Sequence, residues 1–160
     1  MLEAVRARVE RPTPGAQESL AAAAAIGQLF SFDLLRAVRA LPQAELLGHL
    51  REFIEHQLVT ETGEDDAYRF RHALTREVVH DDLLVPERKQ LHQAVAAAIA
   101  ERPDAVPSLL AHHLLSGGRA QEAVPHLLEA AARAYRTDAP REAIAHYERA
   151  RQGTPPDSDA

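Results

Sequence analysis

The chain has 160 residues, a formal net charge of −6, no cysteine, and Lys89 as its only lysine. Disulfides, thiolate metal sites and cysteine nucleophiles are therefore excluded, and the acidic balance opposes bulk affinity for nucleic acid or anionic membrane. Hydrophobic residues make up 46% of the chain but aromatic residues only 4%, so alanine and leucine dominate, which favours closely packed helices over strands.

Leu2 to Arg11 predicts a short helix, ended by Pro12-Thr13-Pro14-Gly15, a boundary of two prolines and a glycine. A second helix is expected from about Ala16 to Ile26, with Leu20, Ala23 and Ala24 facing inward and Gly27 as its stop. Ser31 or Asp33 offers an N-cap for a short third helix through Leu34, Leu35 and Val38. A fourth runs from about Pro42 to Gln57, with Pro42 where a first-turn proline is tolerated. Its inner stripe is Leu46, Leu47, Leu50, Phe53 and Ile54, continued by Leu58.

The period then changes. Leu58 to Thr62 and Tyr68 to Arg71 are rich in β-branched and aromatic residues, and Gly63-Glu64-Asp65-Asp66 between them is turn chemistry. They predict a β-hairpin, the only sheet expected, with Tyr68 and Phe70 on one face and Arg69 and Arg71 on the other. Helix resumes from His72 to Leu84 and again from Pro86, with Leu91, Val95, Ala98 and Ile99 on one side. After Arg102-Pro103-Asp104, Val106, Leu109, Leu110, His113 and Leu114 form a stripe that ends at Gly117-Gly118. Helices from Gln121 to about Arg136 and from Arg141 to Gln152 follow. The tail, residues 153–160, is expected to be disordered.

The last two helices echo each other. Glu122-Ala123-Val124-Pro125-His126-Leu127-Leu128-Glu129-Ala130 aligns with Glu142-Ala143-Ile144-Ala145-His146-Tyr147-Glu148-Arg149-Ala150. Small residues at 123, 143, 130 and 150 would let neighbouring helices approach closely, with Leu127 and Tyr147 filling the gap. The pattern resembles tetratricopeptide helices, although its spacing is one helix rather than the two-helix repeat of about 34 residues.

Three helices followed by a hairpin is the order of a winged helix. Phe70-Arg71-His72-Ala73-Leu74-Thr75-Arg76-Glu77-Val78-Val79, with Ala23 to Gly27, Phe32 to Leu35 and Leu91-His92, resembles bacterial STAND-type signalling ATPases. These include LuxR-type transcriptional regulators and the ATPase regions attached to some adenylate cyclases. The resemblance implies a mainly α chain: a remnant of the ATPase lid at 1–14, a winged helix at 15–84 and tetratricopeptide-like antiparallel helices at 85–152. It also resembles the MHD motif of the related NB-ARC ATPases, in which a histidine after the hairpin faces the phosphates of bound ADP. The matching residue is His72, with Arg71 as a further candidate; only the His-x-Leu-x-Arg-acid frame is kept, since Arg71 precedes the histidine and Ala73 follows it.

Residues for independent chemistry are lacking. Lys89 is followed by Gln90 inside a predicted helix, so there is no P-loop, and no serine sits in a Gly-x-Ser-x-Gly frame. The nine histidines lack the i, i+4 pairing of a zinc helix. His113 reads as a hydrogen-bonded core residue with the other histidines at the surface, Tyr135 and Tyr147 as inter-helix core, and Asp65-Asp66 and Asp81-Asp82 as solvated charges. DNA readout is disfavoured, because the candidate recognition helix carries Glu45, Glu52 and Glu55 against Arg51, and the wing tip is acidic.

The expectation is thus a non-enzymatic regulatory and protein-interaction module without its own metal or cofactor. It would couple the ADP or ATP state of an ATPase core on the same polypeptide to a protein bound by the helical array. A plain helical-repeat scaffold is the alternative, and a winged-helix DNA-binding module a weaker one. No apolar run reaches membrane-span length and the first residues lack a signal peptide's apolar core, so a cytoplasmic location without membrane contact is expected.

Overall fold

The computed structural model describes residues 2–64 and 66–153. In chain order the described elements are α1 (Leu2–Val9), α2 (Pro14–Ile26), β1 (Leu29–Ser31), α3 (Phe32–Arg39), α4 (Gln43–Glu55), β2 (Val59–Glu61) and β3 (Ala67–Phe70). Then come α5 (Ala73–Asp81), α6 (Val85–Ala100), α7 (Pro107–Ser116), α8 (Ala120–Arg136) and α9 (Pro140–Gly153). The chain is mainly helical with one small antiparallel sheet. It divides into two compact units between Leu91 and His92, within α6. None of the described helices is long and apolar enough to cross a membrane.

In the first unit, α2 is an alanine-rich helix whose Ala16, Leu20, Ala22, Ala23 and Ala24 are wholly buried. It packs against α3, α4 and α5. All four phenylalanines of the chain, Phe30, Phe32, Phe53 and Phe70, belong to this core, with Leu35, Leu46, Leu50, Leu58 and Val59. Burying a side chain the size of Phe53 stabilises the fold by roughly 1.5–3 kcal/mol. Of the expected α4 stripe, Leu46, Leu50 and Phe53 are buried, whereas Ile54 stands 41% exposed. It lies at the edge of the stripe, where the helix turns toward solvent. Pro42 is the N-cap of α4 rather than its first helical residue.

The sheet has the order β1-β3-β2, so the expected hairpin gains a third strand. Phe30 pairs with Tyr68, and Val59 with Phe70. Gln28 closes one end: its carbonyl accepts from Phe70 N at 3.0 Å and its Nε2 donates to Phe70 O at 2.7 Å. β1 is three residues long and runs straight into the α3 cap, where Ser31 Oγ accepts from Leu34 N at 3.2 Å. So short a run shows no period-2 pattern to read. Phe70 is buried and Tyr68 half-buried against Phe30, while Arg69 and Arg71 are exposed, as the alternation requires.

Two polar clusters join the helices of this unit. Ser19 Oγ and His49 Nδ1 lie 2.9 Å apart in the core, and Arg39 Nε donates to the same hydroxyl at 3.0 Å. Glu52 of α4 reaches the start of α2, accepting from Thr13 N at 2.7 Å and from Thr13 Oγ1 at 2.9 Å. Those two bonds hold its carboxyl below the usual range, against a smaller opposing effect of burial.

The second unit is built from small residues. α8 packs on α7 and on α9, burying Ala123, Leu127, Ala130, Ala131 and Ala134. α9 answers with Ala143 and Ala150. Tyr147 does not fill the gap between them. It is 49% exposed, since among the described helices only α8 packs extensively on α9, and Tyr135 is 74% exposed. On α7, Leu110, Ala111, His113 and Leu114 are buried, but Val106 and Leu109 are 49% and 41% exposed. Gly117 is required by close approach: a Cβ there would lie 2.9 Å from Gln93 Cγ, whose amide donates to Gly117 O at 2.7 Å. Gly153, expected to begin the tail, closes α9; the rest of the tail lies outside the described residues.

Candidate functional site

β3 ends at Phe70, and Arg71 N still donates to Leu58 O at 2.9 Å. His72 follows in extended conformation (φ −135°, ψ 137°) and serves as N-cap of α5 through its backbone, its carbonyl accepting from Thr75 N at 3.0 Å. Its imidazole makes no capping bond and is exposed. The first turn of a helix leaves amide donors that the helix itself does not use. A ring at such a junction projects beside positive dipole ends, where anions are favoured.

α5 is anchored from below. Thr75, Val78 and Val79 are buried, and Arg76 Nε donates to Ala24 O at 3.0 Å. The arginine of the His-x-Leu-x-Arg frame is thus structural, fixing α5 against the end of α2. α1 packs along α5 in the same unit, and Arg6 pairs with Asp82 at 3.2 Å. Between α1 and the start of α5 lies an open cavity of about 360 Å³, lined by Ala4, Val5, Arg8, His72 and Leu74. An arginine and a histidine share an otherwise apolar wall, an arrangement suited to an anionic group carried on an apolar body.

Of the two sequence candidates, His72 lines this cavity and Arg71 does not; the cation beside the histidine is Arg8. Arg8 was hidden from sequence reasoning because its partner residue lies 64 positions away, and nothing local in Leu2 to Arg11 distinguishes it from Arg6 or Arg11. Asp81 and Asp82 do not form a pair: Asp82 faces Arg6, and Asp81 lies 3.6 Å from His80 Nδ1.

The histidines are less superficial than expected. His113 is buried, but so are His92 at 4% and His49 at 8% exposure. His92 and His113 set their Nδ1 atoms 2.9 Å apart, so one ring donates and the other accepts, which fixes opposite tautomers when both are neutral. The helical stripe placed His113 inward; His92 was missed because no local pattern reveals a partner 21 residues away. Among the described residues, no cluster of three or more histidines or carboxylates is arranged to hold a metal ion.

The helix and hairpin turn that the sequence reading considered for DNA contact are acidic. Glu45 and Glu55 are exposed on α4, and Glu61, Glu64 and Asp66 are exposed around the hairpin turn; Asp65 lies outside the described residues. Tyr68 beneath them has its phenol pKa raised, by burial first and then by the charges of Glu61 and Asp66. It stays protonated and neutral at ordinary pH.

Comparison with protein-family models, with curated proteins and with solved structures gave no match.

Proposed function

We propose that the chain is the regulatory and protein-interaction part of a STAND-type signalling ATPase. It couples the nucleotide state of an ATPase core on the same polypeptide to a protein bound by the helical array. In this reading residues 15–84 are a winged helix and residues 85–152 a tetratricopeptide-like array. The order α2, β1, α3, α4, β2, β3 supports the first assignment, and the alanine-stripe packing of α7, α8 and α9 supports the second.

The observation that carries the reading is His72, exposed at the N-terminus of an anchored helix and lining a cavity with Arg8. In the ADP state, the imidazole and the first-turn amides of α5 would meet the phosphates presented by the core. In this reading the bond from Arg76 to the end of α2 is the route by which a shift of α5 would reach α2. When ADP is replaced, the winged helix would dock through another face.

Hydrogen exchange on the core joined to this chain tests the docking. ADP is expected to slow exchange at the start of α5 (residues 73–75) and along α1, leaving α9 unaffected. Equal exchange with and without ADP in those segments rejects the nucleotide-coupled reading and leaves the plain scaffold.

A further inference from the structure

α6 buries one stripe, His92, Val95, Ala96 and Ile99, of which His92 is the polar member. α7 packs closely along α8, whereas α6 meets α7 through side chains. Two hydrogen bonds cross from one to the other. Gln93 Nε2 donates to Gly117 O at 2.7 Å, and the Nδ1 atoms of His92 and His113 lie 2.9 Å apart with one proton between them. Both rings are in the core, at 4% and 1% exposure. The amide bond is indifferent to pH near neutrality; a bond between two imidazoles is not.

Counting protons on the pair shows why. With both rings neutral, one Nδ1 donates and the other accepts. A first added proton goes to Nε2 of the donating ring and leaves the bond in place. A second has only the accepting Nδ1 to occupy, and there two N–H groups and two charges would face each other. The closed pair therefore holds at most one added proton, while two separated, hydrated rings take two.

The charged surroundings oppose the second proton further. Arg88 and Lys89 precede His92 by one turn of α6, and on α7 the ring of His112 is centred 5.0 Å from that of His113 and 6.1 Å from that of His92. Each of these is a cation or becomes one in acid. α8 offers α7 a buried face of Ala123, Leu127, Ala130, Ala131 and Ala134, which carries no counter-charge. Arg119 and Glu122, where α7 turns into α8, pair with each other at 2.6 Å.

We propose that the His92–His113 bond is an acid-sensitive latch that fastens α6 to α7. Above the ordinary histidine pKa of about 6.5 it is closed; as pH falls below that value the separated rings bind more protons than the closed pair, and the latch opens. The helical array thus carries its own response to mild acid, set by two core rings rather than by its surface. The latch does not rest on the His72 reading, since it involves no nucleotide and no ATPase core.

Hydrogen exchange at the α7 amides of the full chain, corrected for the intrinsic effect of pH, tests it. Between pH 7.5 and 5.5 protection is expected to fall at least about tenfold in the wild type, from one extra proton bound on opening, and less than about twofold in H92L/H113L. Equal pH dependence in the two proteins overturns the proposal. Ring nitrogen NMR of the wild type gives a second test that needs no variant. At pH 7.5 the two rings should show opposite tautomers, and at pH 5.5 no folded molecule should hold both as imidazolium. Two imidazolium rings in a chain whose α7 amides remain protected would overturn the latch just as directly.

Discussion

The two units meet the same packing demand with opposite materials. The first places all four phenylalanines and a three-stranded sheet at its centre, so its helices stand around bulky side chains. The second has no phenylalanine; its helices touch through Ala123, Ala130, Ala131, Ala134, Ala143 and Ala150, and its two tyrosines are left outside. A core of large residues loses most when volume is removed, whereas a seam of small residues loses most when volume is added. The difference also bears on function. A sheet braced by aromatic rings can hold one loop–helix junction, at His72, in a defined exposed position.

Substitutions that invert the packing rule of each unit put this contrast under strain. The largest effect is expected from Phe53→Ala, which empties a wholly buried site; chemical denaturation should report a loss of about 3–5 kcal/mol. Ala131→Leu should cost about 1–3 kcal/mol, because a wholly buried alanine in the seam cannot admit three more carbons without separating the helices. If Ala131→Leu were neutral, the close approach of α8 to its neighbours would be wrong. In the same unit, His92→Leu and His113→Leu should each destabilise. A double-mutant cycle should return a coupling of about 0.5–3 kcal/mol, the signature of rings bonded to each other. Zero coupling would mean that the two rings act separately.

A smaller effect follows from Glu52. Its carboxyl is held low in the folded chain by Thr13, so its contribution is present above the ordinary carboxylate pKa and is lost as pH falls through the depressed value. Acid titration of stability should therefore be steeper for the wild type than for Glu52→Gln, with the two converging once the carboxylate is protonated. The smallest effect is expected at His72. Being exposed and without a capping bond, it should change folding stability by no more than about 0.5 kcal/mol when replaced by alanine.

How much of this was legible in the sequence depends on the range of the pattern involved. Helix periodicity placed Leu46, Leu50, Phe53, Leu110, His113 and Leu114 inward, and alternation gave the faces of Tyr68, Arg69, Phe70 and Arg71. Ser31 as a helix cap was also readable, because capping is a local bond between neighbours in sequence. β1 was not readable: three residues carry no period, and their strand character comes from pairing with Leu29's partner Arg69 and its neighbours, far along the chain. The same holds for Arg8 beside His72 and for His92 beside His113, which are brought together by packing alone. Tyr147 failed for a different reason. The alignment paired it with the buried Leu127, but a buried side chain there needs a covering helix on its far side, and sequence similarity does not supply one.

In the proposed function, His72 senses nucleotide held by an ATPase core. The most direct measurement is the rate at which fluorescent ADP leaves that core, joined to this chain, with His72 and with His72→Ala. Loss of one hydrogen bond to a charged phosphate, about 1.5–3 kcal/mol, predicts release about 10- to 100-fold faster in the variant. Identical release rates in two equally folded proteins would rule out a nucleotide-sensing role for His72.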